Sequence, residues 1–429
     1  MKCLRFAGDP FQKEGGENIM TFKIRLATAI ATGAVLLNAI APAAFAQDIT
    51  VSQNGAHSDS SVTVSTNTST VVNQTNTANV VNNVSSNSST GSNKANNNTG
   101  GDVTVNTGSA NTSVNVSNQL NTNSANVSGC GSCAGGGADV TISKNGTKSD
   151  NDVNLNTNGG TFVNQANNAN VVNNVNAKSE TGNNKANGNT GGTNGDVHVQ
   201  SGNASTNVSV STTANANVAT VNGGNGSNGN SSVTISENGA HSDNDVNLHQ
   251  NSAIVLDQAN KSNIVNNVDA DAFTGKNKAN DNTGGDVTVQ SGNANSNVDV
   301  RNMVNFNAAD VDCGCLLDSL NVTVSKNGDK SDNDVNADSK TISSADQGNG
   351  AFLVNNIDGD AKTGDNKAND NGGDPLVKSG NINSSTDVNN TGNANLFDQG
   401  ASQNVPGDWN FDFQFDLHGL FGFLHSWTV

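Results

Sequence analysis

The sequence predicts an all-β protein, a β-solenoid built from four internal repeats of about 90 residues. Three observations predict it. The first is strict alternation. Val163, Gln165, Asn167, Ala169, Val171, Asn173 and Val175 occupy every second position of one stretch. A period of two means extended backbone with these side chains on one face, whereas a helix would scatter them. The second is repetition. Asn-Gly turns begin at Asn54, Asn145, Asn238 and Asn327, and TGxNKAN begins at Thr90, Thr181, Thr274 and Thr363, both at offsets of 91, 93 and 89 residues. The third is side-chain size. After Ala46 the first copy has no Phe, Trp, Tyr or Met, and its one Leu is Leu120.

In chain order, residues 20–46 read as a secretory signal peptide. Lys23 and Arg25 form a basic start, an apolar run follows, and Ala44-Phe45-Ala46 supplies small residues for cleavage. Residues 1–19 fit no part of such a signal, so Met20 is the expected start and 1–19 an upstream mis-start. Export places the chain outside the cell or on its surface. No later run is long and apolar enough to span a bilayer as a helix.

The four copies span 48–138, 139–231, 232–320 and 321–398. Each opens with V-T-[VI]-S-x-N-G-x-x-S-D (Ile49 standing for the first Val in copy 1) and a short strand, continues with the Gln/Asn/Val phrase, and passes through a Gly/Asn loop. Each then ends in two further strands, as in DVTVQSGNANSNVDV from Asp286 to Val300. Gly and Asn suit such loops because they tolerate positive φ. Val, Ile, Leu and Phe are scarce enough to approach the composition of disordered chains. Regular placement of Val argues for order, since a disordered tract has no need of register.

Two architectures fit these strands: the solenoid, or four β-sandwich domains in tandem. A sandwich core about 10 Å thick must be filled from both sheets. Val, Ala, Asn and Thr fill a narrow solenoid better. With four or five turns per copy, roughly 16–20 turns at about 4.8 Å each predict a rod of roughly 75–95 Å.

The phrases Q-x-N-x-A-x-V and S-x-N-G-x-x-S-D-x-x-V resemble curlin-type Gln/Asn/Gly-rich repeats. That resemblance implies strand–turn–strand units stacked into a β-solenoid and polymerising outside the cell. The chain differs from curlins in its long TGxNKAN loops, its 90-residue period and its Cys-bearing loops. TGxNxANxNTGGDVTV is also similar to uncharacterised secreted repeat proteins of small-genome bacteria, which implies export.

The net charge is −18. Residues 1–46 carry +2 of it, leaving −20 for the rest, in which Arg301 is the only arginine. Nucleic-acid binding needs a basic footprint, and none is present. Cys130 with Cys133, and Cys313 with Cys315, lie at the same phase two copies apart. Within a rod of many turns these pairs stand on the order of 40 Å apart, beyond the ~7 Å a disulfide allows. Closure of each loop by its own pair is the leading expectation, with bridges between chains next. Asp150, Asp152, Asp243, Asp245, Asp332 and Asp334 are candidate calcium ligands, since oxygen donors on Gly/Asn turns suit Ca²⁺. EF-hand spacing is lacking, and Asp is also an ordinary turn former. No other cofactor is expected, and no nucleophile motif or catalytic residue stands out.

The tail, 399–429, breaks the composition. Trp409, Phe411, Phe413, Phe415, Phe421, Phe423 and Trp427 make it a hydrophobic cap or an assembly segment. The expected function is a secreted, non-enzymatic structural protein of the cell surface or matrix, an acidic β-rod able to self-associate. An adhesin binding glycan or a partner-cell surface is the first alternative, and a β-helix carbohydrate-active enzyme the second.

Overall fold

A computed structural model describes residues 21–26, 35–39, 47–128, 138–191, 195–222, 231–312 and 320–398. Every regular element among them is a strand. β1 (Thr21–Leu26) and β2 (Val35–Ala39) come first. The first rung is β3 (Gln47–Ser52), β4 (Asp59–Gly91), β5 (Val103–Asn106) and β6 (Ala110–Ser128). The second is β7 (Ala138–Ser143), β8 (Asp150–Gly182), β9 (Val197–Gln200) and β10 (Ala204–Asn222). The third is β11 (Ser231–Ser236), β12 (Asp243–Gly275), β13 (Val287–Gln290) and β14 (Ala294–Asp312). The fourth is β15 (Leu320–Ser325), β16 (Asp332–Lys362), β17 (Pro375–Lys378) and β18 (Ile382–Asp398).

Each strand pairs in parallel with its counterpart in the next copy, giving four sheets. β4 meets β8 residue for residue from Asp59↔Asp150 to Gly91↔Gly182. β6, β10, β14 and β18 do the same, and β1 and β2 extend that sheet beyond β6. The fold is therefore a β-solenoid, and pairing between copies rather than within them sets aside tandem sandwiches.

The expected number of turns does not hold. One copy makes one turn, not four or five. Four rungs at about 4.8 Å span only ~14 Å from first to last, whereas a 33-residue strand extends roughly 110 Å. The molecule is a slab with its long axis along the strands, not a rod along the stack. No Gly or Pro interrupts Asp59 to Thr90, and β8 runs straight even through Gly159 and Gly160, because each long strand is paired along its length with its counterpart in the next copy.

Within a rung the long strand forms one layer, and the shorter strands fold back over it. Ile49 and Val51 of β3 meet Val62 and Val64. Val114 and Val116 of β6 meet Val84. Leu120 meets Ala78 and Val80. Val103 and Val105 close on the Ala95 loop. Columns of Val, Ile, Leu and Ala thus run through all rungs, as narrow as the small side chains demand.

Two local devices shape the rung. Gly91, Gly182 and Gly275 end the long strand, and Gly364 follows β16 by two residues, all with φ between 106° and 122°. A Cβ on Gly182 would lie 2.0 Å from the Gly275 carbonyl oxygen. The second device is a bulge in the 19-residue strand. Asn121, Asn215, Asn305 and Asn393 hold left-handed φ of 54–64°, and pairing skips from Ala214↔Val304 to Ala216↔Phe306. Asn is suited to that conformation.

Candidate functional site

The polar interior is organised as ladders. Gln165 Nε2 donates to Gln74 Oε1 at 2.7 Å, Gln258 Nε2 to Gln165 at 2.8 Å, and Gln347 Nε2 to Gln258 at 2.7 Å. Each of these glutamines also donates to a carbonyl of the facing strand, as Gln165 does to Val218 O at 2.9 Å. Asn82, Asn173, Asn266 and Asn355 form a second ladder with 2.7 Å steps, in which the donors point the other way along the stack. A third column zigzags between the two layers. Asn76 donates to Asn123, Asn123 to Asn167, Asn167 to Asn217 and Asn217 to Asn260, and the relay continues through Asn307 and Asn349 to Asn395. Gln165, Asn173 and Asn217 are fully buried. Burying amides is costly unless each is paired, and in-register stacking pairs them. Aligned amides also polarise one another, so the ladders gain by length.

The outer face of the long strands carries a second set of columns. Asn174 donates to Asn83 at 2.7 Å, Asn267 to Asn174 at 2.8 Å and Asn356 to Asn267 at 2.8 Å. Beside this column a groove of about 680 Å³ crosses all four rungs. Its other wall is Ser85, Asn176, Asp269 and Asp358, so it becomes acidic toward the last two rungs. Farther along the strands, Phe273 lies between Lys178 and Lys362, each ammonium 5.3 Å from the ring centre. Such exposed contacts contribute about 0.5–1 kcal/mol each.

The structure brings the candidate calcium ligands into two columns. Asp150, Asp243 and Asp332 stack with Asp59; Asp152, Asp245 and Asp334 stack with Ser61. Among the described residues, no group of three His, Cys, Asp or Glu is arranged to hold a metal ion. Desolvation, and after it the neighbouring carboxylates, raise the pKa of three members of these columns, Asp152, Asp243 and Asp245. Asp243 is held above the ordinary aspartate value by partial desolvation, then by Asp150 and Asp332. Asp245 is raised by desolvation and then Asp243, and Asp152 by desolvation and then Asp150.

Cys130, Cys133, Cys313 and Cys315 lie outside the described residues, as do Trp409, Phe411, Phe413, Phe415, Phe421, Phe423 and Trp427. The residues flanking the cysteine loops, Ser128 and Asp312, belong to one column with Asn222 between them. They are two rungs apart, roughly 10 Å, so the separation of about 40 Å expected for a many-turn rod does not apply. Among the described residues no helix is long and apolar enough to cross a membrane. Sequence reasoning missed the groove and the Phe273 contact. Both join residues about 90 positions apart, and both were available once the offsets were read as pairing distances.

Fold and ladders together define a single class: a parallel, in-register β-solenoid with one repeat per turn and an amide-rich interior. No family model, curated protein or solved structure matches the chain.

Proposed function

We propose that this protein is a non-enzymatic structural component of the cell surface or extracellular matrix, exported through the leader at residues 20–46. The supporting observation is the unbroken interior ladder from Gln74 to Gln347 with its Asn companions. Such a ladder confers stiffness across the stack, because no rung can leave without breaking a column of buried amides. The outward Asn columns and the acidic charge supply a hydrated, mutually repelling surface. The test is fractionation of the producing cells, followed by amide exchange on the recovered protein. Recovery in the surface or matrix fraction with slowly exchanging strands is expected. Recovery in the cytosol, or rapid exchange throughout β8 and β12, would sink the reading.

The groove along Asn83, Asn174, Asn267 and Asn356 favours a second reading, an adhesin. A regular row of amides beside hydroxyl and carboxylate groups offers donors and acceptors to a glycan laid across the rungs. Binding of the intact protein to a glycan array, weakened by Asn174→Ala, is the expected result. No binding on any glycan removes this reading and leaves the structural one.

A further inference from the structure

We propose that the free edge of rung 1 is the docking edge for rung 4 of a second copy, and that β1 and β2 (21–26 and 35–39) occupy part of that edge until they are removed. The proposal rests on the structural role above and adds the partner, the contact and its control. The stack leaves two edges, β3–β6 on one side and β15–β18 on the other. Open parallel strands are templates for further strands.

Four observations assign the two edges to each other. The first is continuity. Core columns reach the surface at rung 4: Val388 is 41% exposed, while Val300, Val210 and Val116 of the same column are at 0%. Another rung would continue every column in register. The second is charge. β4 and β6 contain one charged residue between them, Asp59. β16 contains six aspartates and two lysines. Rung 4 on rung 1 sets charged side chains over neutral ones, whereas rung 4 on rung 4 would crowd like charges.

The third is the glycines. A Cβ on Gly146 would lie 2.3 Å from Ala56 N, and one on Gly202 would lie 2.4 Å from Gly108 O, in each case the backbone of the preceding rung. Their counterparts in rung 1, Gly55 and Gly108, meet nothing within 4 Å. Neither has a left-handed backbone. A single chain gives no steric reason for glycine at these two places, and a rung seated on rung 1 supplies it. The fourth is the leader. β1 lies parallel on the free edge of β6, Thr21↔Asn111 through Leu26↔Val116, and β2 lies on Val35↔Asn123 through Ala39↔Val127. In the established stacking Asn383, Asn295, Ser205 and Asn111 share one column. An incoming β18 would need the positions β1 and β2 hold.

The test uses the full chain with a protease recognition sequence inserted after Ala46. Uncut protein is expected to sediment as a monomer. Cutting should produce concentration-dependent stacks, seen in electron micrographs, with a reflection near ~4.8 Å along the stack axis. The double variant Gly55→Ala, Gly108→Ala should keep the circular dichroism and melting temperature of the parent. After cutting it should remain monomeric. Stacking by uncut protein to the same extent would overturn the role of β1 and β2. Equal stacking by the double variant, or persistent monomers of the cut parent, would overturn the docking edge. A cut parent that is monomeric yet recovered from the matrix would leave the structural reading standing without this one.

Discussion

At the residue scale, the buried amides carry the largest predictable effects. Gln165→Leu removes donation to Gln74 Oε1 and Val218 O and acceptance from Gln258. A neutral buried polar network broken this way loses about 1–3 kcal/mol, to be read from denaturant unfolding. Asn170→Ala, on the outward face and donating at 3.0 Å to Asn79, should change stability by less than about 0.5 kcal/mol. Equal effects of the two would mean that the interior ladder is no tighter than the surface one. Gly182→Ala places Cβ against the Gly275 backbone in a left-handed conformation and should cost more than about 1 kcal/mol. The alternation Val, Gln, Asn, Ala, Val, Asn, Val was legible because each inward residue is small or able to pair with its own kind. The Phe273 contact becomes legible only when the offsets between copies are read as pairing distances, since Lys178 and Lys362 belong to different copies.

At the scale of elements, the strands were legible and their lengths were not. Turn chemistry at Asn54-Gly55 and TGxNKAN marks both ends of β4. Inside those bounds, ordinary strand lengths suggest several short strands, and the chain instead runs straight. Length is set by the partner. Each residue of β8 finds an equivalent on both sides, so no internal fold-back is needed to satisfy its backbone. The offsets of 91, 93 and 89 were thus the pairing distances themselves. The carboxylate columns of β8 and β12 carry a pH prediction. Asp152, Asp243 and Asp245 have folded-state pKa values raised above their unfolded ones. Their stabilising share is therefore full below the ordinary aspartate value near ~4 and is lost as pH rises through the raised values. Melting temperature should rise as pH falls from neutral toward that region. Asp152→Asn, Asp243→Asn and Asp245→Asn together should flatten the rise, and an unchanged slope would dismiss the columns as its source.

At the scale of the whole molecule, a small error in turns per copy becomes a large error in shape. Val, Ala and Asn do fill a narrow interior, as their sizes imply. They do so across one thin two-layer turn, with the long dimension along the chain. Stability then depends on contacts between copies, with few inside one. A chain cut back to a single copy has no parallel partner for its longest strand and should lack a cooperative unfolding transition. Two-copy and four-copy chains should melt at successively higher temperatures. A stable, cooperatively folding single copy would contradict this arrangement.

The left-handed asparagines at 121, 215, 305 and 393 have a consequence for alignment. Two smooth extended ribbons can slide by two residues and still present apolar groups inward, so alternation by itself does not forbid misalignment. A kink shared by every layer does. A slide one way would put Gln119, Thr213 or Met303 at the left-handed position, a slide the other way would pull Asn123, Asn217 or Asn307 out of the buried amide column, and either would leave the displaced kink facing straight backbone. The asparagine column therefore works as a locating pin: it sets the phase of each new layer against the last.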